Sequence, residues 1–404
     1  MRILVFNCGS SSLKFRLFAA GRNGLRSDPL LGGVVERIGM PEARLDTWRA
    51  GRPDAARNLP VADHDAALHA VLDWLDGEGV LARAGAIHAV GHRIVHGGEE
   101  FRRATALDED TARKIAAYNE LAPLHNPVNL QVYAAARRRL PRARQVAVFD
   151  TAFHHTLPAR AYLYGLPWAW REKERIRRYG FHGISHGCLM RRYAALRRQP
   201  PESFKLITCH LGNGCSICAI DRGKSVDTTM GFTPLEGLIM GSRSGDIGPG
   251  TLLYILKHFR MTPGEAEARL NHESGMAGIA GVAGDMRELL RAIRSGNQRA
   301  LLAVEAFCYR IALTIGAYHG VLGGADAVIF SGGIGEHAPE VRARVCGLLP
   351  ALLPSIDQSA NANAIGKAAR LSAAGNKPEV WVIPTDEERG IAEETLACLQ
   401  RAES

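Results

Sequence analysis

A chain of 404 residues is longer than one hydrophobic core usually supports, and its 46% hydrophobic content is enough to fill two. The formal charge of +9 is spread along the chain, with Arg137, Arg138 and Arg139 and the pair Arg197 and Arg198 at the ends of helical stretches, where cations suit the helix dipole; no nucleic-acid partner is expected. Only four apolar residues, Ile3 to Phe6, separate Met1-Arg2 from Asn7, and no run approaches the roughly 20 residues of a membrane span, so a soluble, cytoplasmic protein with no membrane partner is expected.

The first element reads as strand, turn, strand: Ile3 to Asn7 is interrupted by Cys8, Gly9, Ser10 and Ser11 and resumes at Ser12. Helical patterns follow at 63–76, 108–121 and 126–140, the last with Asn126 as N-cap and Pro127 at the first helical position. Strands are expected at 86–96 and 145–149, each ending in charged or imidazole residues. Asp150 directly follows the second, and the carboxyl ends of strands are where open α/β sheets bind ligands. Beyond a loop through Trp168 and Trp170, the pattern repeats as a hairpin over 206–220 around Gly212, Asn213 and Gly214. Helices are expected from Pro249, after a cap at Asp285, and over the apolar run 298–322. The strand 326–330 leads into the glycine cluster 331–336 and a helix near Pro339; a strand at 380–384 and a helix from Glu387 close the chain.

Gly9 in one turn and Gly212 with Gly214 in the other let the backbone bend with its N–H groups outward, an anion cradle in each half. Two cradles suggest one polyphosphate held between two halves, and the similar hairpins suggest an old duplication. Hairpins mixed with strand-helix alternation argue for α/β layers in each half with a cleft between them. The eight cysteines sit mostly inside apolar segments without a secreted framework's spacing. The single CxxC, Cys215 to Cys218, lies in a strand and lacks a second pair for zinc.

Five polar segments are too glycine-rich or too charged for core: 91–98 with Arg93, 124–127 with His125, 149–154 with Asp150, 179–186 with His182, and 240–250 with Arg243. An arginine between glycines presents a planar fork to carboxylate or phosphate, although a surface ion pair uses the same residue. His182 is placed to meet charge on a phosphoryl oxygen or to serve as a hydrogen-bonded structural histidine. Asp150 suits a metal, a nucleophile or an ordinary cap. Three other motifs fail on context. The fingerprint at 333–338 has Asp357 about 20 residues on, but Pro350 and Pro354 make a poor strand before it. The elbow-like Gly183-Ile184-Ser185-His186-Gly187 does not follow a buried strand. Gly223-Lys224-Ser225 lacks the first glycine of a Walker A loop.

Read together, these segments resemble the acetate kinases, of the acetate and sugar kinase, Hsp70 and actin group, from Asn7 to about Thr395. The carriers are Asn7 to Phe15, the segments 91–98 and 179–186, His210 to Gly214, Thr229 to Gly237, and Ile383 to Glu388. The resemblance implies a two-domain α/β fold of the actin-like (ribonuclease H-like) type with an interdomain cleft. Domain I would be 1–150 completed by the C-terminal helix 389–404, and the nucleotide-binding domain II would be 151–388.

It further implies an acetate kinase: Mg2+-dependent, reversible transfer from ATP to acetate, giving acetyl phosphate and ADP by direct in-line attack, with Mn2+ as an alternative metal and a homodimer as the assembly. Asn7 and Glu387 are implied to hold the metal. Lys14 and His210, Leu211, Gly212, Asn213 and Gly214 are implied to face the ATP phosphates; Asp285, Met286 and Arg287, with Gly333, Ile334, Gly335, Glu336 and His337, are implied to flank the adenosine. Arg93 would bind the acyl carboxylate, Asp150 would be the catalytic carboxylate, His182 and Arg243 would stabilise the transition state, and His125 would join that polar shell. Val95, Leu124, Phe181 and Pro234 match the family's apolar pocket for the methyl group. The chain departs from the family at His337, Ile184, Gly248 and Ala283-Gly284; His337 and Ala283-Gly284 bear on the choice of phosphoryl donor, and Gly248 on the looseness of the loop that carries Arg243. A propionate or butyrate kinase, and a catalytically inactive nucleotide-binding regulator, are the alternative readings.

Overall fold

Strand β1 (Arg2–Cys8) is buried on both faces from Ile3 onward, the mark of a central strand covered by helices on either side. It runs antiparallel to β2 (Ser12–Gly21), which is extended by β3 (Gly24–Leu25), β4 (Leu31–Glu36), β5 (Arg44–Arg49) and β6 (Ala55–Asn58); β7 (Ala89–Ile94), β8 (Thr105–Ala106) and β9 (Arg144–Phe149) complete the sheet. The computed structural model describes residues 1–9, 11–21, 24–50, 52, 54–81, 86–123 and 125–403. By internal contacts the chain forms two compact units, Met1–Phe153 with Asp386–Ser404, and His154–Thr385.

In the first unit the sheet order is β6-β5-β4-β2-β1-β7-β9-β8, with β3 on β2. β1, β7 and β9 are parallel, and their register sets Phe6 opposite His92 and Ile94 opposite Phe149. Their carboxyl ends therefore deliver Asn7, Arg93 and Asp150 to one edge. Helices His64–Gly77 and Asn126–Arg139 cover one core, where Leu4, Phe6, Phe15, Leu68, Leu72 and Val132 are buried. Helix Glu387–Glu403 packs on β1, β2, β7 and β9.

The second unit holds β10 (Lys205–Leu211), β11 (Cys215–Asp221), β12 (Lys224–Thr228), β13 (Ala327–Ser331), β14 (Ala369–Arg370) and β15 (Glu379–Val382), in the order β12-β11-β10-β13-β15-β14. Here β10, β13 and β15 are parallel and the β10–β11 hairpin is antiparallel. The five strands β4-β2-β1-β7-β9 and β12-β11-β10-β13-β15 thus have the same arrangement, two antiparallel pairings followed by two parallel ones.

Several local expectations are corrected. The 108–121 pattern divides into the helix Glu109–Ala116 and a single 3-10 turn Asn119–Leu121, because Tyr118 between them lies over Gly98, where a Cβ would come within 2.2 Å of its ring. Asn126 is the first helical residue rather than the cap. Its buried amide is turned to His96, accepting from the His96 N–H at 3.0 Å and donating to the His96 carbonyl at 2.9 Å, rather than to the helix start, and His125 occupies the cap position without capping the helix through its side chain. The glycine cluster after β13 is itself a helix, Gly332–His337, ahead of the expected Pro339–Gly347. Helix Gln298–Val321 contains an 18-residue window of mean hydropathy 1.6, long and apolar enough to cross a membrane by length and composition, contrary to the expectation that no run qualifies. Its buried face, including Val304, Phe307, Ile311 and Ile315, packs on β10, β11 and neighbouring helices as a core helix does.

Gly91 in β7 is required by close approach. A Cβ there would lie 2.3 Å from the Thr395 hydroxyl and 2.9 Å from Ile391 of the C-terminal helix. Gly91→Ala is expected to lower stability by about 1–3 kcal/mol through overpacking, read as a shift in the urea midpoint. An unchanged midpoint would mean that the helix does not seat on β7 this closely.

Candidate active site

At the strand ends of the first unit, Arg93 donates from Nε and Nη2 to one Asp150 oxygen at 3.0 and 2.5 Å, and from Nη1 to the Cys8 carbonyl at 3.2 Å. Burial works against the guanidinium charge, but Asp150 and then Glu387 outweigh it and hold Arg93 above its ordinary value. Asn7, also buried, donates to Glu387 at 3.0 Å and to Glu388 at 2.8 Å. Arg16 adds an ion pair to Asp386 at 2.8 Å. The result is a compact set of hard oxygen donors held between two arginines. Glu387 with the Asn7 amide oxygen suits Mg2+ or Mn2+, which binds through one or two carboxylates and keeps several waters. Among the described residues no group of three or more His, Cys, Asp or Glu side chains is arranged around a common metal position, and Cys215 and Cys218 are both buried thiols, the first pushed up to about 12 by burial and the second also raised by burial.

Val95 is buried just beyond β7, with its N–H donating to Asn129. His125 stands at the start of helix Asn126–Arg139. Leu124 lies outside the described residues. Lys14 is exposed on β2 of the first unit, directly opposite Asn7 in register.

In the second unit, Gly214 is the meeting point. A Cβ on it would sit 3.4 Å from His182 Cε1, 3.5 Å from His182 Nε2 and 3.6 Å from Arg243 Nη1. His182 adopts left-handed backbone angles, φ 56° and ψ 23°, at the start of helix Gly183–Arg197, a conformation that costs a residue other than glycine on the order of 1–2 kcal/mol. Its ring lies 4.3 Å from that of His210, and His210 Nδ1 is 2.8 Å from the Ser185 hydroxyl. Arg243 donates to the Pro234 carbonyl at 3.2 Å and reaches the Met240 sulfur at 3.9 Å. Burial pulls Arg243 below its ordinary value, and among the described residues no carboxylate counters this. Phe181 is buried beside His154, whose Nε2 contacts the Phe181 carbonyl.

The turn differs from the expected cradle in detail. The Gly9 N–H donates to the Ser12 carbonyl and the Gly212 N–H to the Gly214 carbonyl, so both point into their own turns. Among the described residues the Asn213 and Gly214 amides have no protein acceptor, leaving two adjacent N–H groups for an anion.

A cavity of about 510 Å³ adjoins this turn, within the usual range for small-molecule sites. Of the predicted nucleotide residues, Gly212, Asn213, Asp285, Met286, Arg287, Gly333, Ile334 and His337 line it. His210, Leu211, Gly214, Gly335 and Glu336 do not. Glu336 turns inward instead, accepting from the Gly332 N–H at the start of its own short helix at 2.9 Å and from the Thr385 N–H in the segment after β15 at 3.0 Å, donors that would otherwise be unsatisfied. Gly241, Ser242, Gly284, Leu290 and Ala338 also line the cavity and were missed. The departure at Gly284 gave a signal: a Cβ there would lie 2.2 Å from the Gly241 carbonyl, so this backbone admits no serine. The competing motifs resolve as ordinary structure, with Asp357 capping a helix and Arg222-Gly223 forming the turn between β11 and β12.

Parallel strand ends that carry paired cations and carboxylates in the first unit, and a glycine turn with open amides in the second, define an anion-handling α/β protein. The acetokinase family model matches residues 2–393. The chain is 44% identical over 417 residues to the acetate kinase of Chloroherpeton thalassium, covering all of both chains. Solved structures of an acetate kinase from Porphyromonas gingivalis and a propionate kinase from Francisella tularensis superpose with a TM-score of 0.89 each. They are 39% and 37% identical to it, over 98% of this chain and 99% of theirs. This chain belongs to the acetokinase family.

Buried neutral histidines set the acid limit of the fold. Burial lowers His92 and His154 from 6.5 to about 4, His96 to about 3, and His186 well below its ordinary value. The unfolded chain takes up these protons near pH 6.5 and the folded chain resists until near pH 4, so their contribution is fully present above about pH 6.5 and is lost as pH falls towards 4. The urea midpoint should decrease steadily across that window, and His154→Gln should flatten the slope. A midpoint constant from pH 6.5 to 4.5 would contradict the neutral, buried assignment.

Proposed function

We propose that this protein is an acetate kinase, transferring the γ-phosphoryl group of ATP to acetate and, in reverse, from acetyl phosphate to ADP. The observation that carries the reading is Arg243: a largely buried guanidinium with no carboxylate partner among the described residues, beside His182 at a glycine turn with open amides. Such an arrangement lacks a negative charge, and a phosphoryl group supplies one.

Arg93 receives the acetate carboxylate while Asp150 keeps its fork oriented, and Val95, Leu124, Phe181 and Pro234 are assigned to the methyl group from the family's pattern. ADP or ATP occupies the cavity lined by Asn213, Asp285 and His337, with the phosphates towards Gly212 and Gly214 and Lys14 and His210 serving the same anion. A carboxylate oxygen attacks the γ-phosphorus in line. The loose transition state spreads charge over equatorial oxygens, and donors fixed beforehand, Arg243 and the His182 N–H, stabilise it without reorganising. His125 adds polarity to this shell. When bound by Glu387 and Asn7, Mg2+ supplies neutralisation of phosphate charge.

A cytoplasmic homodimer is part of the reading. Leu302, Tyr309 and Leu313 are exposed along the outer face of helix Gln298–Val321, and a symmetric contact would cover them. A regulator that binds nucleotide without turnover is disfavoured because Arg93, Asp150, His182 and Arg243 are all present.

Acetyl phosphate formation, trapped as the hydroxamate, tests the activity directly. Arg243→Ala should lower kcat by at least about a hundredfold with little change in the KM for ATP, since its contact is made to the reacting group; undiminished turnover would remove Arg243 from the mechanism. The substrate preference is a separate matter, because the equally similar propionate kinase favours a second acyl group and one methylene is worth only about 1–3 kcal/mol in such a pocket. Acetate should have the highest kcat/KM among acetate, propionate and butyrate. A higher value for propionate would reassign the substrate while leaving the reaction intact.

A further inference from the structure

We propose that Thr208, His186 and Ser216 form a proton-ordered wire that holds His182 as its Nε2–H tautomer, so that a neutral imidazole donates to the anion at the Gly214 turn. The inference deepens the role given to His182 above and rests on that reading.

The wire is continuous. The Thr208 hydroxyl lies 2.7 Å from His186 Nδ1, His186 Nε2 lies 2.8 Å from the Ser216 hydroxyl, and that hydroxyl lies 2.9 Å from His182 Nδ1. Thr208, His186 and Ser216 are completely buried, so no solvent exchange scrambles their hydrogen bonds. His186 is held neutral by its burial, and by His154 and His210 around it; it therefore carries one N–H. Each hydroxyl also has one proton. Both rings donating to Ser216 would leave its buried hydroxyl proton without an acceptor among the described residues, so the three contacts point one way along the wire.

Two directions are available. In the first, Thr208 O–H donates to His186 Nδ1, His186 Nε2–H donates to Ser216, and Ser216 O–H donates to His182 Nδ1. Every donor is satisfied, and the His182 proton sits on Nε2. In the second, His182 Nδ1–H donates to Ser216, Ser216 to His186 Nε2, and His186 Nδ1–H to Thr208. The Thr208 proton then has no acceptor among the described residues, and a buried donor left without a partner is strongly disfavoured. The first direction is the one the fold selects. Its outcome is functional, because Nε2 is the ring atom that lies beside Gly214 and Arg243. Ser216, His186 and Thr208 touch no reacting atom in this reading; they are positioning residues.

The test uses the full-length protein labelled with 15N-histidine. The His182 ring shifts should report the Nε2–H tautomer. Thr208→Val, which keeps the shape and removes the hydroxyl, should move His182 away from that tautomer and lower kcat about fivefold or more with the KM for ATP within about twofold; Thr208→Ser should restore both. Ser216→Ala should have a larger effect on kcat, about tenfold or more. Should Ser216→Ala fail to fold, Thr208→Val carries the decision alone. An unchanged tautomer and unchanged kcat in Thr208→Val would overturn the wire. The nuclear magnetic resonance readout needs no substrate, so an Nε2–H tautomer in a protein whose His182→Ala variant keeps full turnover would leave the wire standing and refute the role of His182 instead.

Discussion

Taking a guanidinium out of water carries an effective penalty of several kcal/mol unless negative charge meets it, and this chain answers that constraint in two opposite ways. Arg93 is neutralised internally by Asp150, with Glu387 near enough to add to the effect. Arg243 has no such partner among the described residues, and burial lowers its affinity for its proton. The first cation is stable and oriented before any ligand arrives. The second is held in a state that a negative charge brought to it would relieve, and in the proposed reaction that charge is the one developing on the phosphoryl group.

Both arrangements grow from one structural device, used once in each unit. An antiparallel hairpin is followed in space by two parallel strands, so three carboxyl ends emerge together at an edge. In the first unit those ends deliver Asn7, Arg93 and Asp150. In the second they deliver the turn after β10, the glycine helix after β13 and the segment after β15 that ends at Thr385. Thr385 is tied to Glu336 through its N–H and to Ser185 through its hydroxyl. A parallel sheet with covered faces leaves only its edges for chemistry.

Behind the second edge, polar groups replace what would otherwise be apolar core. Thr208, Ser216, Ser225, His154 and His186 are all buried and all hydrogen-bonded. A network of this kind tolerates no missing partner, because each unsatisfied group would cost about 1–3 kcal/mol. That intolerance gives direction to the protons and rigidity to His182, whose left-handed backbone would otherwise relax.

Much of this was legible in the residues because it depends on local chemistry. Repeated strand-turn-strand signals, apolar strands ending in Asp150 or Arg93, the capping aspartate Asp285, and glycine-bounded arginines all act over a few neighbours, and the family's segments rest on those same residues. What sequence alone misread depends on partners distant along the chain. Asn126 has the chemistry of a cap, yet His96 claims its amide; Glu336 has the chemistry of a ligand, yet Gly332 and Thr385 claim its carboxylate. The cavity positions of Gly241, Ser242 and Leu290, the absence of an acid beside Arg243 among the described residues, and the direction of the Thr208 wire likewise arise only when separate elements pack. Local steric and hydrogen-bond preferences determine which elements form, whereas burial and the competition for each polar atom are set by tertiary neighbours, and these decided which of the expected groups remain available for chemistry.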